Sequence, residues 1–398
     1  MNDFAVLRAP SQVLFGAGMA AATGRVAADH GRRVLVITDP VIAGTPGFAT
    51  VVESLAGLAV TVFSEAAVDV PSSAVEAALG AAAEPDAIVA VGGGSVIDLA
   101  KVTALLLAHG GTPADYYAVQ SVPGPVLPLI ALPTTAGTGS EATPVAVITD
   151  PATEMKVGVA SPHLIPRHAI CDPLLTIGAP PVVTAHAGID ALAHAVESYM
   201  AAREQPSPEL VLGRPQVGKN LLSDALALTA ADHLFRNLAR VVEDGSDVEA
   251  RTGMLYGSLL AGIAFGNSGV SAAHALQFAL GAATHTSHGL GTGLLLPYVM
   301  EFNRPARPAE IAELSSLMGA DAVSAVHALG LRIGLPKSLV EIGVGRDDLR
   351  EMAEAAVGIK RLVDNNPAPL DAGSLEAILD AAWHGEPDRL RAGAAVSP

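Results

Sequence analysis

Short runs rich in valine and isoleucine alternate with helical patterns from residue 1 to about residue 178. Strands are predicted over 32–39, 58–66, 86–95 and 125–135. These runs lack a regular polar alternation, which is typical of strands that helices cover on both faces. Strands joined by crossover helices build a parallel sheet. We therefore expect a doubly wound α/β domain over residues 1–180.

The pattern changes after the proline pair Pro180-Pro181. Apolar residues then recur at helical spacing, and helices are predicted over 184–202, 220–242, 247–265 and 270–283. Thr184 is predicted as the N-cap of the first of these helices, because its hydroxyl can accept a free N–H of the first turn. We expect an all-helical domain over residues 181–398.

Composition limits the classes of partner and the compartment. A formal net charge of −17 would repel nucleic-acid phosphates, so we expect no nucleic-acid partner. The sequence has no uninterrupted apolar run of about 18 residues that could cross a bilayer. The N-terminal segment MNDFAVLRAP lacks the pattern of a secretory leader, and a single cysteine, Cys171, suits a reducing compartment. We expect a cytoplasmic protein without a membrane partner.

Two glycine-rich turns follow predicted strands. The first, GGGS at 92–95, precedes a helix whose free N–H groups and positive dipole end favour a pyrophosphate. It departs from the usual G-x-G-x-x-G fingerprint, and such a turn can be purely structural. The second, TTAGTGSE at 134–141, offers hydroxyl groups from Thr134, Thr135 and Thr138. Two such turns can grip one extended dinucleotide, so together they predict a nucleotide groove.

Asp39 ends the predicted strand that reads VLVITD. A carboxylate at this place can bind ribose hydroxyls and would repel an additional phosphate, which favours NAD over NADP. The alternative is a turn aspartate that only shapes the chain before Pro40.

One carboxylate and three imidazoles are candidate metal ligands. In GIDALAHAVES, residues 188–198, Asp190 and His194 are four positions apart and therefore share one face of a helix. His274 lies in a predicted helix among apolar residues, and His288 follows that helix. A buried carboxylate needs pairing or a cation, and these ligands suit Fe(II), Zn(II), Mn(II), Co(II) or Ni(II). The alternative is an ordinary Asp-His pair with core histidines.

These motifs, in this order, resemble the iron-containing (group III) alcohol dehydrogenase family over nearly the whole chain. The resemblance implies an N-terminal half that binds NAD(P), a helical half that binds a divalent metal, an active site between them, and a homodimer or larger homo-oligomer. It assigns metal ligation to Asp190, His194, His274 and His288, pyrophosphate contact to Gly93, Gly94 and Ser95, ribose contact to Asp39, and other nucleotide contacts to Thr134, Thr135, Thr138, Lys156 and Phe265.

One position departs from that family. Similar members often carry a histidine four residues after the third ligand, near the nicotinamide, where it can help relay a proton. This chain has Phe278 there. His285 is a candidate substitute, or a loop histidine at the surface. Segment 203–220, rich in proline, glycine and charge, is expected as a surface loop or as a cover that contacts substrate.

The leading functional hypothesis is metal-dependent, NAD-linked interconversion of a small alcohol and an aldehyde or ketone, with iron the first choice of metal and zinc the second. An alternative is a transhydrogenase with tightly bound NAD, because LGRPQVGKNLLSDALAL and FGNSGV resemble the hydroxyacid-oxoacid transhydrogenase branch. A lyase like the dehydroquinate-synthase relatives would need basic residues around a polyanionic substrate, and the sequence offers none next to the ligands. A metal-binding protein without catalysis would leave both glycine-rich turns without a role.

Overall fold

A parallel sheet forms the centre of the N-terminal half. The computed structural model describes residues 4–117, 121–150, 152 and 156–393. Its strands are β1 (Gln12–Phe15), β2 (Arg33–Ile37), β3 (Ala59–Phe63), β4 (Ala87–Gly92), β5 (Leu129–Pro133), β6 (Val145–Thr149), β7 (Lys156–Ala160) and β8 (His168–Cys171). Six strands pair in parallel in the order β1-β8-β5-β4-β2-β3, and β6 and β7 form an antiparallel hairpin. The predicted α/β domain is confirmed.

Helices flank the sheet and build the rest of the chain. They are α1 (Thr23–Ala28), α2 (Pro40–Ala43), α3 (Pro46–Ser54), α4 (Ser72–Ala81), α5 (Gly94–His109), α6 (Pro181–Met200), α7 (Pro208–Gly213), α8 (Leu221–Glu243), α9 (Val248–Ser268), α10 (Ala272–Thr284), α11 (His288–Asn303), α12 (Pro308–Met318), α13 (Ala322–Arg332), α14 (Leu349–Val357), α15 (Lys360–Val363), α16 (Ala372–His384) and α17 (Arg389–Gly393). The predicted helical C-terminal part is confirmed, while the division at residue 180 stays a prediction.

Strand β4 is buried at every position because its side chains feed two cores. Ile88 and Ala90 pack with residues of α4 and α5 on one face of the sheet. Val89 and Val91 pack with residues of α1 and α3 on the other face. This double burial is the physical reason for the uninterrupted apolar run in the sequence.

The predicted strands are present but shorter than predicted. The run 86–95 ends as a strand at Gly92 because helix α5 begins at Gly94. The run 125–135 forms a strand only from Leu129, since Pro125 and Pro128 cannot donate a backbone hydrogen bond. Strands β1, β6, β7 and β8 were not predicted.

The helix that carries Asp190 starts earlier than predicted. Thr184 is not its N-cap: Pro180 holds the N-cap position and Pro181 is the first helical residue. Proline suits the first position because its φ is preset and its missing N–H needs no partner there. The Thr184 hydroxyl instead donates to Ala179 O at 3.4 Å and accepts from Arg251 Nη1 at 3.0 Å.

No single helix in the described ranges is both long and apolar enough to span a membrane. Two bent helix pairs, α9 with α10 and α12 with α13, meet the length and composition test only when each pair is taken together.

Candidate active site

A cleft lies where the carboxyl ends of β4 and β5 face the helices of the C-terminal part. Open α/β sheets place their ligands outside the carboxyl ends of the strands. Ten of the residues singled out in the sequence line this cleft, namely Gly94, Ser95, Thr138, Lys156, Asp190, His194, Phe265, His274, Phe278 and His288. Residues from both halves of the sequence therefore contribute to one site.

Three imidazoles, those of His194, His274 and His288, converge on the Asp190 carboxylate. His194 Nε2 lies 3.9 Å from Asp190 Oδ2, while His274 Nε2 and His288 Nε2 lie 3.8 Å and 3.6 Å from Oδ1. These distances are too long for hydrogen bonds. Ligand atoms of Asp190, His194 and His274 all lie within 4.8 Å of one another, a spacing that can hold one metal ion.

Burial makes this cluster costly without a cation. Asp190, His194 and His274 are each at most 5% exposed. His194 Nδ1 and His274 Nε2 have no hydrogen-bond partner among the described residues. Unpaired polar atoms in a protein interior cost free energy. One oxygen and several imidazole nitrogens around such a gap fit the ligand preferences of a first-row divalent metal.

The protonation states of Asp190, His194 and His288 also suit metal binding. Burial alone would raise the pKa of Asp190, but the three neighbouring imidazoles and the Thr292 hydroxyl outweigh it and lower that pKa to about 2. Burial lowers the pKa of His194 and of His288 to about 4, against the opposing effect of Asp190. At neutral pH the carboxylate is therefore ionised and these two imidazoles keep a free lone pair.

Glu197 was not predicted as a site residue, although it belongs to the GIDALAHAVES segment. Its Oε2 accepts a hydrogen bond from His274 Nδ1 at 2.5 Å. Its Oε1 accepts from Ser271 Oγ at 3.0 Å and from Ala273 N at 2.7 Å. A carboxylate at Nδ1 fixes the imidazole tautomer and turns Nε2 towards the other ligands. The available signal was its spacing, since Glu197 lies seven residues after Asp190 on the same helix face.

Glu197→Gln is expected to weaken metal binding by about 10- to 100-fold. The amide removes the negative charge that holds the His274 ring, while the side-chain size is nearly unchanged. The measurement is the metal dissociation constant, from competition with a chelator. Glu313→Gln is the matched control, because Glu313 accepts a hydrogen bond from Tyr199 outside the cleft. An unchanged metal affinity in Glu197→Gln would show that Glu197 only caps local backbone.

The first glycine-rich turn opens helix α5 into the cleft. Gly93 is the N-cap of α5, and Gly94 and Ser95 form its first turn. A Cβ atom at Gly94 would lie 2.6 Å from Thr138 Cγ2, so the two glycine-rich turns are in direct contact. The helix start and Thr138 therefore present backbone N–H groups and a hydroxyl at one place in the cleft.

Several predicted nucleotide contacts lie outside the cleft lining. Thr134 is buried and its N–H donates to Gly92 O at 3.0 Å. Thr135 lines a small neighbouring cavity and lies close to Gly93. Asp39 caps helix α2, where its Oδ1 accepts from Val41 N at 2.8 Å and from Ile42 N at 2.9 Å. The alternative stated for Asp39, a structural turn residue, is therefore observed, and its contact with ribose stays a prediction.

A buried lysine of helix α5 binds the loop that follows the second glycine-rich turn. Lys101 is fully buried, and its Nζ donates to Val145 O at 2.7 Å and to Thr143 Oγ1 at 3.0 Å. Asp98, on the same helix, accepts from Ser140 Oγ and from Val147 N. This network fixes the loop after the second turn against α5. Neither Asp98 nor Lys101 was predicted as a site residue.

Aromatic side chains close the end of the cleft where the candidate metal ligands lie, which is called its metal end below. Phe265 stacks on His194 with ring centroids 4.1 Å apart and planes 11° apart. Phe278 lies edge-on to His288 at 6.1 Å and lines the cleft. His285 is exposed, adopts a left-handed conformation with φ 55°, and does not line the cleft. Gln216, from segment 203–220, lines the cleft and donates to Phe265 O at 3.1 Å.

Comparison with known proteins gives the same family along the chain. The model described as "Iron-containing alcohol dehydrogenase" matches residues 10–173, and "Fe-containing alcohol dehydrogenase family, C-terminal" matches residues 184–383. Long-chain-alcohol dehydrogenase 1 of Geobacillus thermodenitrificans is 36% identical over 380 residues, which covers 91% of each chain. NAD-dependent methanol dehydrogenase of Bacillus methanolicus is 33% identical, covering 82% of this chain and 86% of the relative.

A solved structure described as 1,3-propanediol oxidoreductase superposes with a TM-score of 0.88 at 31% identity, covering 96% of this chain and all of that one. The resemblance inferred from the sequence motifs is thus confirmed by independent matches in sequence and in structure. The chain belongs to the iron-containing alcohol dehydrogenase family of oxidoreductases.

Proposed function

We propose that this protein catalyses the reversible, NAD-linked oxidation of an alcohol to an aldehyde or ketone, with a divalent cation held by Asp190, His194, His274 and His288. A bound nicotinamide would accept a hydride from the alcohol carbon, and the hydroxyl proton would be released. The observation that carries this proposal is the convergence of the three-residue cluster Asp190, His194 and His274 with Gly94, Ser95 and Thr138 in one cleft.

The chain's own groups would hold the dinucleotide at the end of the cleft formed by α5. A nicotinamide dinucleotide supplies the hydride acceptor, and the protein supplies its orientation. The N–H groups at the start of α5 favour a pyrophosphate despite the net charge of −17, because the helix dipole acts locally. Ser95 and Thr138 add hydroxyl groups in the cleft.

The ligand cluster would hold the cation at the other end. A bound divalent cation supplies Lewis acidity, which stabilises negative charge on the alcohol oxygen as the hydride leaves. Asp190 contributes the negative charge, and Thr292 Oγ1 orients it by donating to Oδ1 at 2.7 Å. Glu197 orients His274 in the same way. We propose iron as the metal, since the family carries it in its name.

Phe265 and Phe278 determine the surroundings of the reacting carbon. Phe265 holds the His194 ring by stacking and excludes water from that side of the cluster. Phe278 carries no group that can transfer a proton, so the relay that the family resemblance implies at this position lacks its histidine. We propose that the proton leaves this site without a side-chain relay at position 278.

The test is a substrate screen on protein purified anaerobically and loaded with Fe(II). We expect NADH absorbance to rise when NAD and a primary alcohol are added, and to fall when NADH and an aldehyde are added. No absorbance change across a broad panel of alcohols and aldehydes would refute the proposal.

Asp39→Asn is expected to raise the ratio of kcat/KM with NADP to kcat/KM with NAD by at least about tenfold, because like charges placed together cost several kcal/mol. Asparagine keeps the Oδ1 acceptor that caps α2 and removes only the charge. The measurement is steady-state kinetics with both cofactors, with Asp39→Gly as the variant that also removes the cap. An unchanged ratio in Asp39→Asn would show that Asp39 is only a capping residue.

We also propose a homodimer or larger homo-oligomer in the cytoplasm, as the sequence analysis expects. Size-exclusion chromatography with light scattering checks the first point. A monomeric mass at micromolar concentration would contradict it.

A further inference from the structure

Arg361 lies at the metal end of the cleft on the short helix α15. It lines the cleft together with Phe278, Val270 and Leu362. Its positive charge is close enough to His274 to act on the pKa of that imidazole, which it lowers against the raising effect of Glu197. The guanidinium therefore faces the space beside the metal cluster.

The other charged residues that line the cleft have partners. Lys156 Nζ lies 2.7 Å from Asp69 Oδ1. Asp98 accepts from Ser140 and Val147 and lies 3.7 Å from the Lys101 ammonium. Asp190 is surrounded by imidazoles.

Arg361 differs from these residues, because within the described ranges it has neither an ion pair nor a side-chain hydrogen bond. The adjacent Lys360 shows the contrast: its Nζ pairs with Asp364 at 3.0 Å at the surface. Arg304 and Arg391 likewise share the Glu301 carboxylate. Among the charged residues that line the cleft in the described ranges, Arg361 is thus the one without a charged partner.

The surroundings of Arg361 combine access to solvent with desolvation by neighbouring protein atoms. Its side chain is accessible to solvent, yet burial among protein atoms lowers its pKa. Access together with burial is expected for a side chain that faces the interior of a cleft. An anion from a ligand would offset the desolvation of the guanidinium, and carboxylates match its fork of N–H donors. The net charge of −17 repels anions generally, so a local cation is needed to hold one.

We propose that Arg361 binds a carboxylate of the substrate, so that the enzyme acts on hydroxyacids and the corresponding oxoacids in preference to uncharged alcohols. This inference rests on the proposed function, because it assigns the substrate class of the same site. The hydroxyacid loses a hydride to NAD and a proton to solvent, giving an oxoacid and NADH, while the carboxylate stays unchanged on Arg361. The sequence shows no basic residue next to the candidate ligands, because Arg361 lies more than seventy positions after His288, the candidate ligand nearest to it along the chain.

The first test compares substrates that differ in one group. ω-Hydroxyacids of three to six carbons are assayed against α,ω-diols of the same length, and hydroxyalkane sulfonates form a third series that separates carboxylate from sulfonate recognition. We expect hydroxyacids to exceed matched diols in kcat/KM by at least about tenfold. Equal values for the acids and the diols at every length would overturn the inference.

The second test uses Arg361→Gln, with Lys360→Gln as the matched control on the same helix. Arg361→Gln is expected to lower kcat/KM for hydroxyacids by about 10- to 100-fold, as for loss of a hydrogen-bonded charge partner. The diol values and the KM for NAD should change less than about threefold. Arg361→Lys, which keeps the charge without the fork, should recover part of the loss. Equal losses for acids and diols, or a rise confined to the KM for NAD, would assign Arg361 to structure or to the nucleotide.

A binding measurement separates this inference from the proposed function. Isothermal titration calorimetry of the metal-loaded protein with NADH compares butyrate with butyramide. We expect butyrate to bind more tightly to the wild type and to lose this advantage in Arg361→Gln. The same advantage in both proteins would overturn the inference. Absence of alcohol and hydroxyacid oxidation would instead refute the proposed function, and the calorimetric comparison would still decide the role of Arg361.

Discussion

His274→Ala is expected to lose bound metal and catalytic turnover together, with kcat/KM falling by at least about a hundredfold, the upper end of what loss of an outer hydrogen-bond partner costs at a metal site. His274 connects two layers of the site: its Nδ1 donates to Glu197, and its Nε2 faces Asp190 at 3.8 Å. Alanine removes one proposed ligand and leaves Glu197 without the imidazole that donates to it. The measurements are metal content by mass spectrometry and NADH-coupled turnover.

Two further variants, His288→Ala and the control His327→Ala, test the same prediction. His288→Ala removes a proposed ligand whose side chain is 33% exposed, so a loss of metal can be measured with less risk to folding. His327→Ala is the control, because His327 is a half-buried histidine on α13 outside the cleft. NADH affinity, measured by fluorescence, should be retained in all three variants. Full metal content in both His274→Ala and His288→Ala would refute the ligand assignment.

Gly262→Val is expected to reduce kcat/KM by about a hundredfold through displacement of the site rather than removal of a ligand. Gly262 on α9 packs against Gly139 of the second glycine-rich turn, and a Cβ at Gly262 would lie 2.8 Å from Gly139 Cα and from its carbonyl oxygen. All three atoms that this Cβ would meet belong to the Gly139 backbone, so rotation of a side chain cannot make room. Phe265 follows on the same helix and would move away from His194.

The same substitution should destabilise the fold by about 1–3 kcal/mol or more, as is usual for overpacking. Thermal unfolding followed by circular dichroism measures this effect. Gly80→Val is the matched control, because Gly80 is exposed on α4 and a Cβ there meets nothing within 4 Å. Wild-type thermal stability and turnover in Gly262→Val would show that the contact between turn and helix is not tight.

The architecture could be predicted because its signals are local and repeated. Buried strands such as β4 give continuous apolar runs, and the long helices α6, α8, α9 and α10 give a clear period over many residues. The boundaries depend on single residues instead. Thr184 has the chemistry of a cap, but the proline pair before it starts the helix three residues earlier.

The candidate site could be predicted only in part, because spacing along one helix is visible in sequence and contacts across the fold are not. Asp190 and His194 share one turn of α6, so their proximity follows from the helix alone. The prediction that His274 and His288 lie close to Asp190 rested on resemblance to a family. The role of Glu197 depends on its contact with His274, 77 positions away in sequence. Arg361 could not be found at all without the packing of α15 against the cleft.

The central claim is that one divalent cation binds among Asp190, His194, His274 and His288 in the cleft that holds the nucleotide. The most direct measurement is an anomalous difference map at the iron absorption edge, from crystals of protein loaded with Fe(II) under anaerobic conditions. We predict one peak per chain, about 2.0–2.2 Å from an Asp190 oxygen and from imidazole nitrogens. These distances are the usual ones for such ligands on zinc. A peak elsewhere in the molecule, with these imidazoles turned away from any metal, would contradict it.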